Sequence, residues 1–315
     1  MPNLHLNFYC DRLQNLEIMK KVFIKFILFS FILLVSSKIL FAENGKVKVF
    51  VSILPQKYFA EKLLGEKAEV EVLIGAGMSP HTYEPLPQQM SKLSRADMFF
   101  TVGIPFEQVI INRLKNLCPK LSIVPTDENI DKIKMTGHHH HDEHQDEEAH
   151  KHEMGLDPHF WLDPIRVSTM VENMAKAVIS VKPELANSIT ENLNNIKTGL
   201  TKLNDELSQK LLPFKGKTML VFHPAFGYFA TRYGMIQKAV EIEGKEPAPR
   251  QLADLIRNCR AEGIKIIFVQ KQFPVATAET ISRSIGGKVV AIDPLAEDYI
   301  NNLKAMAEAV VSSAY

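Results

Sequence analysis

The chain has 315 residues, 46% of them hydrophobic and 23% charged; this is a globular composition rather than a disordered one, with room for about two domains at ~150 residues each. Lys plus Arg total 37 against 36 Asp plus Glu, so no basic surplus points to nucleic acid or an anionic membrane surface as partner. Three cysteines are too few for a disulfide framework or a cysteine-rich zinc site.

From Met19 the chain reads MKKVFIKFILFSFILLVSSKILFA, with three lysines before an apolar run from Phe26 to Val35 and a small residue, Ala42, before polar sequence. This pattern predicts a cleavable signal peptide, with residues 1–18 as an upstream extension. The apolar run is short against the ~20 residues of a spanning helix. No cysteine follows it closely, so a soluble, exported, periplasmic protein is expected rather than a lipoprotein. Removing residues 1–42 takes Cys10 with it. Cys118 and Cys259 remain, in different halves of the chain, and are expected to be unpaired thiols.

Four short apolar runs then predict strands at Val47–Ile53, Glu69–Ile74, Met98–Val102 and Leu121–Val124. Helical patterns fall between them at Pro55–Leu64, Pro87–Ala96 and Phe106–Leu117, the first two with proline in the first turn, where its missing N–H costs nothing. A second series has strands at Thr218–Phe222, Ile236–Ile242, Lys265–Gln270 and Lys288–Ile292. Its helices are Phe226–Tyr233, Pro249–Glu262, Pro274–Ile285 and Glu297–Ser313. Alternating strands and helices predict an α/β fold with parallel sheets. The strandless segment between the two series shows apolar residues at helical spacing from Leu185 to Leu207. The expected organisation is therefore two Rossmann-like lobes, 43–183 and 213–315, joined by a long rigid connecting helix at 184–212. The alternative is two separate helices packed on one lobe.

Eleven histidines are the compositional oddity. Seven crowd into 138–152 and one is His5; His81, His159 and His223 lie at predicted strand ends or loops. In open α/β sheets ligands bind beyond the carboxyl ends of the strands, and imidazole is the commonest protein metal ligand. Asp293 directly follows the last predicted strand. Alone, an Asp-Pro there is an ordinary turn or helix cap; with the three histidines it completes a four-coordinate N3O set, two ligands from each lobe, typical of zinc. Asp157 and Asp163 flank His159 and either orient an imidazole or serve as turn and cap residues. Trp161, the only tryptophan, is expected in the core beside the cleft, placed to report metal binding by fluorescence.

The segments SILPQKYF, GAGMSPHTYEP, DPHFWLDP, VFHPAFGYFATRYG, EGKEPAPRQLADLI and IDPLAEDY occur in the order seen in the metal-binding substrate-binding proteins of zinc and manganese ABC transporters, which the chain resembles from about Lys46 to Tyr315. The resemblance implies two α/β lobes joined by a rigid helix, a metal ion held between them, and delivery to a membrane ABC permease with its cytoplasmic ATPase. It places the metal ligands on His81, His159, His223 and Asp293. An imidazole at position 223 is similar to the zinc branch, since nitrogen donors suit zinc and carboxylate oxygens suit manganese. Ser79 departs from the aspartate of many relatives.

The run HHHHDEHQDEEAHKHE (138–153) holds seven histidines and six acidic residues and nothing apolar to build a core. It is expected to be a loop whose His138, His139, His140, His141, His144, His150 and His152 bind accessory zinc. The whole reading is of a monomeric periplasmic Zn2+ receptor with no chemistry of its own. Manganese or broader divalent-metal binding and a metal-dependent adhesin are the alternatives. A zinc hydrolase is disfavoured because no HExxH is present and four protein ligands would leave no position for a reactive water.

Overall fold

The computed structural model describes residues 45–135, 155–241, 245–273 and 275–312. The predicted signal peptide and the histidine run lie outside the described residues. The first half builds β1 (Val47–Ile53), α1 (Leu54–Leu64), β2 (Ala68–Ile74), α2 (Pro87–Leu93), β3 (Met98–Thr101), α3 (Pro105–Leu117) and β4 (Ser122–Pro125). After α4 (Pro164–Val181) and α5 (Ala186–Leu211) come β5 (Thr218–Val221), α6 (Gly227–Arg232), β6 (Ile236–Ala239), α7 (Pro249–Ala261), β7 (Ile266–Gln270), α8 (Val275–Ser284), β8 (Lys288–Ile292) and α9 (Tyr299–Val311).

The strands form two four-stranded sheets, ordered β2-β1-β3-β4 and β6-β5-β7-β8, and every strand pairing is parallel. The orders match: in each half the first strand sits inside, with the second on one side and the third on the other. That reversal of winding opens a crevice at the carboxyl ends of β1 and β3, and of β5 and β7, where α/β sheets bind ligands. Inner strands β3 and β7 are buried along their whole length and read as continuous apolar runs, as expected of parallel strands covered on both faces.

Two boundaries shift for local reasons. Helix α2 stops at Leu93 rather than Ala96 because Arg95 N–H and Ala96 N–H bond three residues back, to Lys92 and Leu93 carbonyls, a tightening typical of helix ends. Helix α9 starts at Tyr299 because Asp298 caps it through Asn301 N–H, as short polar side chains do.

The connecting helix is real and continuous. Helix α5 has 26 residues, flanked by single 3-10 turns at Pro183–Leu185 and Leu212–Phe214, and spans ~39 Å at 1.5 Å per residue. Its buried residues Ile189, Leu200, Leu203, Leu207 and Leu211 recur at the three- and four-residue spacing of one helix face. The helix is tied to the first half by Asn192 Nδ2, which donates to Leu63 O at 2.9 Å, and to α9 by the Lys304–Glu206 pair at 2.7 Å and the Lys210–Glu308 pair.

Alternation along the second sheet decides how the halves join. Met219 and Val221 of β5, with Ile266 and Phe268 of β7, face a core continuous with that of the first half. Leu220, Phe222, Ile267 and Val269 point to the opposite face and build a separate, smaller core. Helix α9 crosses to the first half, where Tyr299 packs edge-on against Phe59 with ring centroids 4.8 Å apart. The lobe boundary expected at residue 213 is therefore not a break in the hydrophobic core, and Val47 onward forms one compact unit. Cys118 and Cys259 are both free, the latter buried. Among the described residues no helix is long and apolar enough to cross a membrane.

Candidate metal centre

The strand orders predict where the carboxyl-end residues fall. His223 lies just past the end of β5, and its neighbours across the second sheet are the ends of β6 and β7. Pairing with β5 runs on beyond β6: Val240 N–H and Glu241 N–H donate to the Val221 and Phe222 carbonyls at 2.8 and 2.9 Å. This brings Glu241 beside His223, and Glu241 Oε2 stands 2.6 Å from His223 Nδ1. On the other side Gln270 of β7 grips the His223 backbone, its Nε2 donating to the carbonyl at 2.8 Å.

In the first half His159 sits in the turn that leads into α4. Asp157 Oδ1 accepts the His159 backbone N–H at 2.9 Å and lies 2.7 Å from its Nδ1. The two roles weighed for Asp157 in the sequence coincide: it builds the turn and orients the ring. Asp163 takes only the capping role, accepting Ile165 N–H at 2.9 Å. Its fully buried carboxylate also binds Arg166 of its own helix and Arg232 of α6 through two hydrogen bonds of 2.8 and 2.9 Å, a bond from one half to the other. Trp161 Nε1 donates to Pro294 O at 2.9 Å, and Tyr228 Oη donates to Asp157 O at 2.7 Å.

His81 lies on the loop between β2 and α2. Ser79 Oγ accepts its backbone N–H at 3.3 Å, so this serine serves a turn role. No carboxylate is bonded to the His81 ring among the described residues, and the residue is exposed whereas His159 and His223 are buried.

Among the described residues, His81, His159 and His223 each offer a ligand nitrogen, and these atoms lie within 4.8 Å of one another. His81 Nε2 and His223 Nε2 are 3.0 Å apart. Ionised Asp157 and Glu241 can only accept, so Nδ1 of His159 and of His223 carries the proton and Nε2 keeps a free lone pair. That arrangement, carboxylate to imidazole to open Nε2, is how metal-ligating histidines are held. Although the residue keeps an exposed edge, desolvation of its ring within the histidine group, together with the neighbouring His223 and His159, lowers the His81 pKa to about 4, which keeps this ring unprotonated at neutral pH. A cavity of about 20 Å³ lies among the three rings, lined also by Trp161, Gln272 and Phe273. It has room for one ion or one water.

Asp293 falls outside this group. In the order β6-β5-β7-β8, the end of β8 is two strands from that of β5, about 10 Å at ~4.8 Å per strand. Its Oδ1 is bound by Leu295 N–H at 2.9 Å and by Gln272 Nε2 at 3.2 Å. The structure thus brings together three of the four residues singled out in the sequence and turns the fourth into a turn. Glu241, Gln270 and Gln272 carried no signal in the sequence, since strand order alone puts them at the site. Gly227 is a further such residue: a Cβ there would lie 2.9 Å from Asp157 Oδ2.

A model of the family described as "Zinc-uptake complex component A periplasmic" matches residues 49–313. The chain belongs to this family. A zinc-binding protein AdcA of Streptococcus pyogenes serotype M3 is 31% identical over 274 residues, covering 83% of this chain and 53% of that protein, so the chain spans about half of that relative's length. A putative metal-binding protein of Chlamydia muridarum is 27% identical over 88% of this chain and 97% of its own. Among solved structures, ZnuA superposes with a TM-score of 0.78 at 33% identity, covering 86% of this chain and all of that one, and a zinc-bound ZnuA deletion mutant with 0.77 at 33% over 85% and 98%. The laminin-binding protein Lmb of Streptococcus agalactiae, at 23% identity and a TM-score of 0.73, shares the fold.

Proposed function

We propose that this ZnuA-family chain is the zinc-capturing receptor of an ABC importer, exported to the periplasm by the signal peptide at its N-terminus, acting as a monomer and handing Zn2+ to a membrane permease driven by a cytoplasmic ATPase. The observation that carries the reading is the convergence of three imidazoles from both halves of the fold on a one-ion cavity, with no carboxylate in the group among the described residues. Nitrogen donors favour zinc over manganese and exclude the oxygen-rich spheres of magnesium and calcium. Preset tautomers on His159 and His223 mean that little reorganisation is needed when the ion arrives. The zinc-binding names and structures of the relatives support the same cargo. The ion is bound and released unchanged, so no catalytic residue is assigned. The histidines between His138 and His152 supply weaker accessory zinc binding.

Metal analysis of protein purified without added metal, followed by competition between zinc and manganese for wild type and His223→Glu, tests the reading. Zinc is expected to outcompete manganese in the wild type, and the carboxylate variant to narrow the gap. Equal affinity of the wild type for both ions would overturn the assignment.

A further inference from the structure

The side chain of Gln272 is divided between two tasks. Its Nε2 donates to Asp293 Oδ1 at 3.2 Å, the oxygen already fixed by Leu295 N–H at 2.9 Å. Its Oε1 is buried without a hydrogen-bond partner, which is costly for an amide oxygen. Gln272 lines the cavity among the three histidines, together with Pro294 and Leu295. The Asp293 backbone is held as well, its carbonyl accepting from Asn302 Nδ2 at 2.7 Å. The Asp293 side chain is held by these two bonds to Oδ1, and the longer of them comes from Gln272 in the cavity lining.

We propose that Gln272 is a latch that holds the Asp293 carboxylate off the bound ion, so that Gln272, rather than Asp293 itself, sets whether the site presents three nitrogens or three nitrogens and an oxygen. The proposal rests on the zinc reading of the three-histidine site. With the latch closed, the donor set is all-imidazole and selects zinc. With the latch removed, Asp293 Oδ1 keeps its bond from Leu295 N–H but loses the one from Gln272, and the carboxylate can turn its other oxygen toward the ion, adding an oxygen donor that favours manganese. The unpartnered Gln272 carbonyl fits the same picture: a donor group on the ion, such as a coordinated water, would satisfy it, and a carboxylate in that place would not.

The experiment uses the full chain as wild type, Asp293→Ala, Gln272→Met and the double variant. Methionine nearly conserves volume and removes both hydrogen-bonding atoms, and Gln272→Ala serves as a second variant should Gln272→Met fold poorly. Zinc and manganese affinities are read by chelator competition, and the coordination of the site by the visible absorption of bound Co2+, whose bands shift when a carboxylate oxygen replaces a coordinated water. In the otherwise native chain Asp293→Ala is expected to change either affinity less than threefold. Gln272→Met is expected to raise manganese affinity about tenfold and to alter the Co2+ spectrum, and Asp293→Ala in that background to reverse both. Equal effects of Asp293→Ala with and without Gln272, or an unchanged Co2+ spectrum in Gln272→Met, would overturn the latch while leaving the zinc reading intact. Failure of the wild type itself to bind zinc tightly would instead overturn the zinc reading.

Discussion

Replacing Glu241 isolates the contribution of a residue that never touches the ion. Glu241 Oε2 lies 2.6 Å from His223 Nδ1, and the two residues are only 6% and 5% exposed, so their charge-assisted hydrogen bond is shielded from water and worth more than a neutral one. The carboxylate fixes the tautomer of His223 and makes its Nε2 a stronger donor. Outer partners of this kind are worth 10- to 100-fold in metal affinity, or about 1.4 to 2.7 kcal/mol at ~1.4 kcal/mol per tenfold. Glu241→Gln retains an amide oxygen that can accept the Nδ1 proton but loses the charge, so a loss of about tenfold in zinc affinity is expected. Glu241→Ala loses both and strands a buried Nδ1–H, so about 100-fold is expected. Chelator competition at neutral pH measures both. Wild-type affinity in Glu241→Gln, or a greater loss in Glu241→Gln than in Glu241→Ala, would refute the argument that charge and acceptor act separately through His223.

Asp163→Ala removes a helix cap and a fully buried carboxylate shared by Arg166 and Arg232. Breaking a buried pair costs 3–5 kcal/mol, and because both arginines reach some solvent the lower end, about 3 kcal/mol, is expected in urea unfolding of the metal-free protein. A loss below about 1 kcal/mol would mean the clamp between the halves contributes little. Gly227→Ala, whose Cβ would lie 2.9 Å from Asp157 Oδ2, is expected to destabilise by about 1–3 kcal/mol as overpacking does and to weaken zinc by displacing the partner of His159; an unchanged zinc affinity would show that Asp157 can shift freely. His81 has a folded pKa of about 4 against an ordinary 6.5, so the unfolded chain binds more protons between those values. Its contribution to stability is complete above pH 6.5 and is lost as pH falls toward 4. Glu107, raised by burial to about 7, acts in the opposite sense but is common to wild type and His81→Ala, so urea unfolding at pH 7 and 5 is expected to show the smaller acid loss in His81→Ala. Identical losses would contradict the shift. Deleting residues 138–152 is expected to remove weak extra zinc sites in calorimetry and leave one tight site; loss of the tight site would place the histidine run in the main centre.

Much of this protein was legible in its sequence because the signals are local. Strand and helix periods, first-turn prolines and the duplicated βα series marked nearly every element to within a few residues, and the scarcity of histidines outside 138–152 picked out the three that converge. Asp163 as a cap also follows from its immediate neighbours. What sequence left open depends on which strands lie side by side. The order β6-β5-β7-β8 puts Glu241 and Gln270 against His223 and leaves Asp293 at the end of β8, beyond β7, although position after a strand marks Asp293 and His223 alike. The two opposed faces of β5 and β7 likewise decide that the halves share one core across the expected boundary, because alternation says that a strand has two faces but not what covers each. Donor type was thus written in the chain. Which donors converge, and which carboxylates stand behind them, was decided by pairings between segments up to 240 residues apart, such as Lys57 with Glu297, whose energies exist only once both halves have folded against each other.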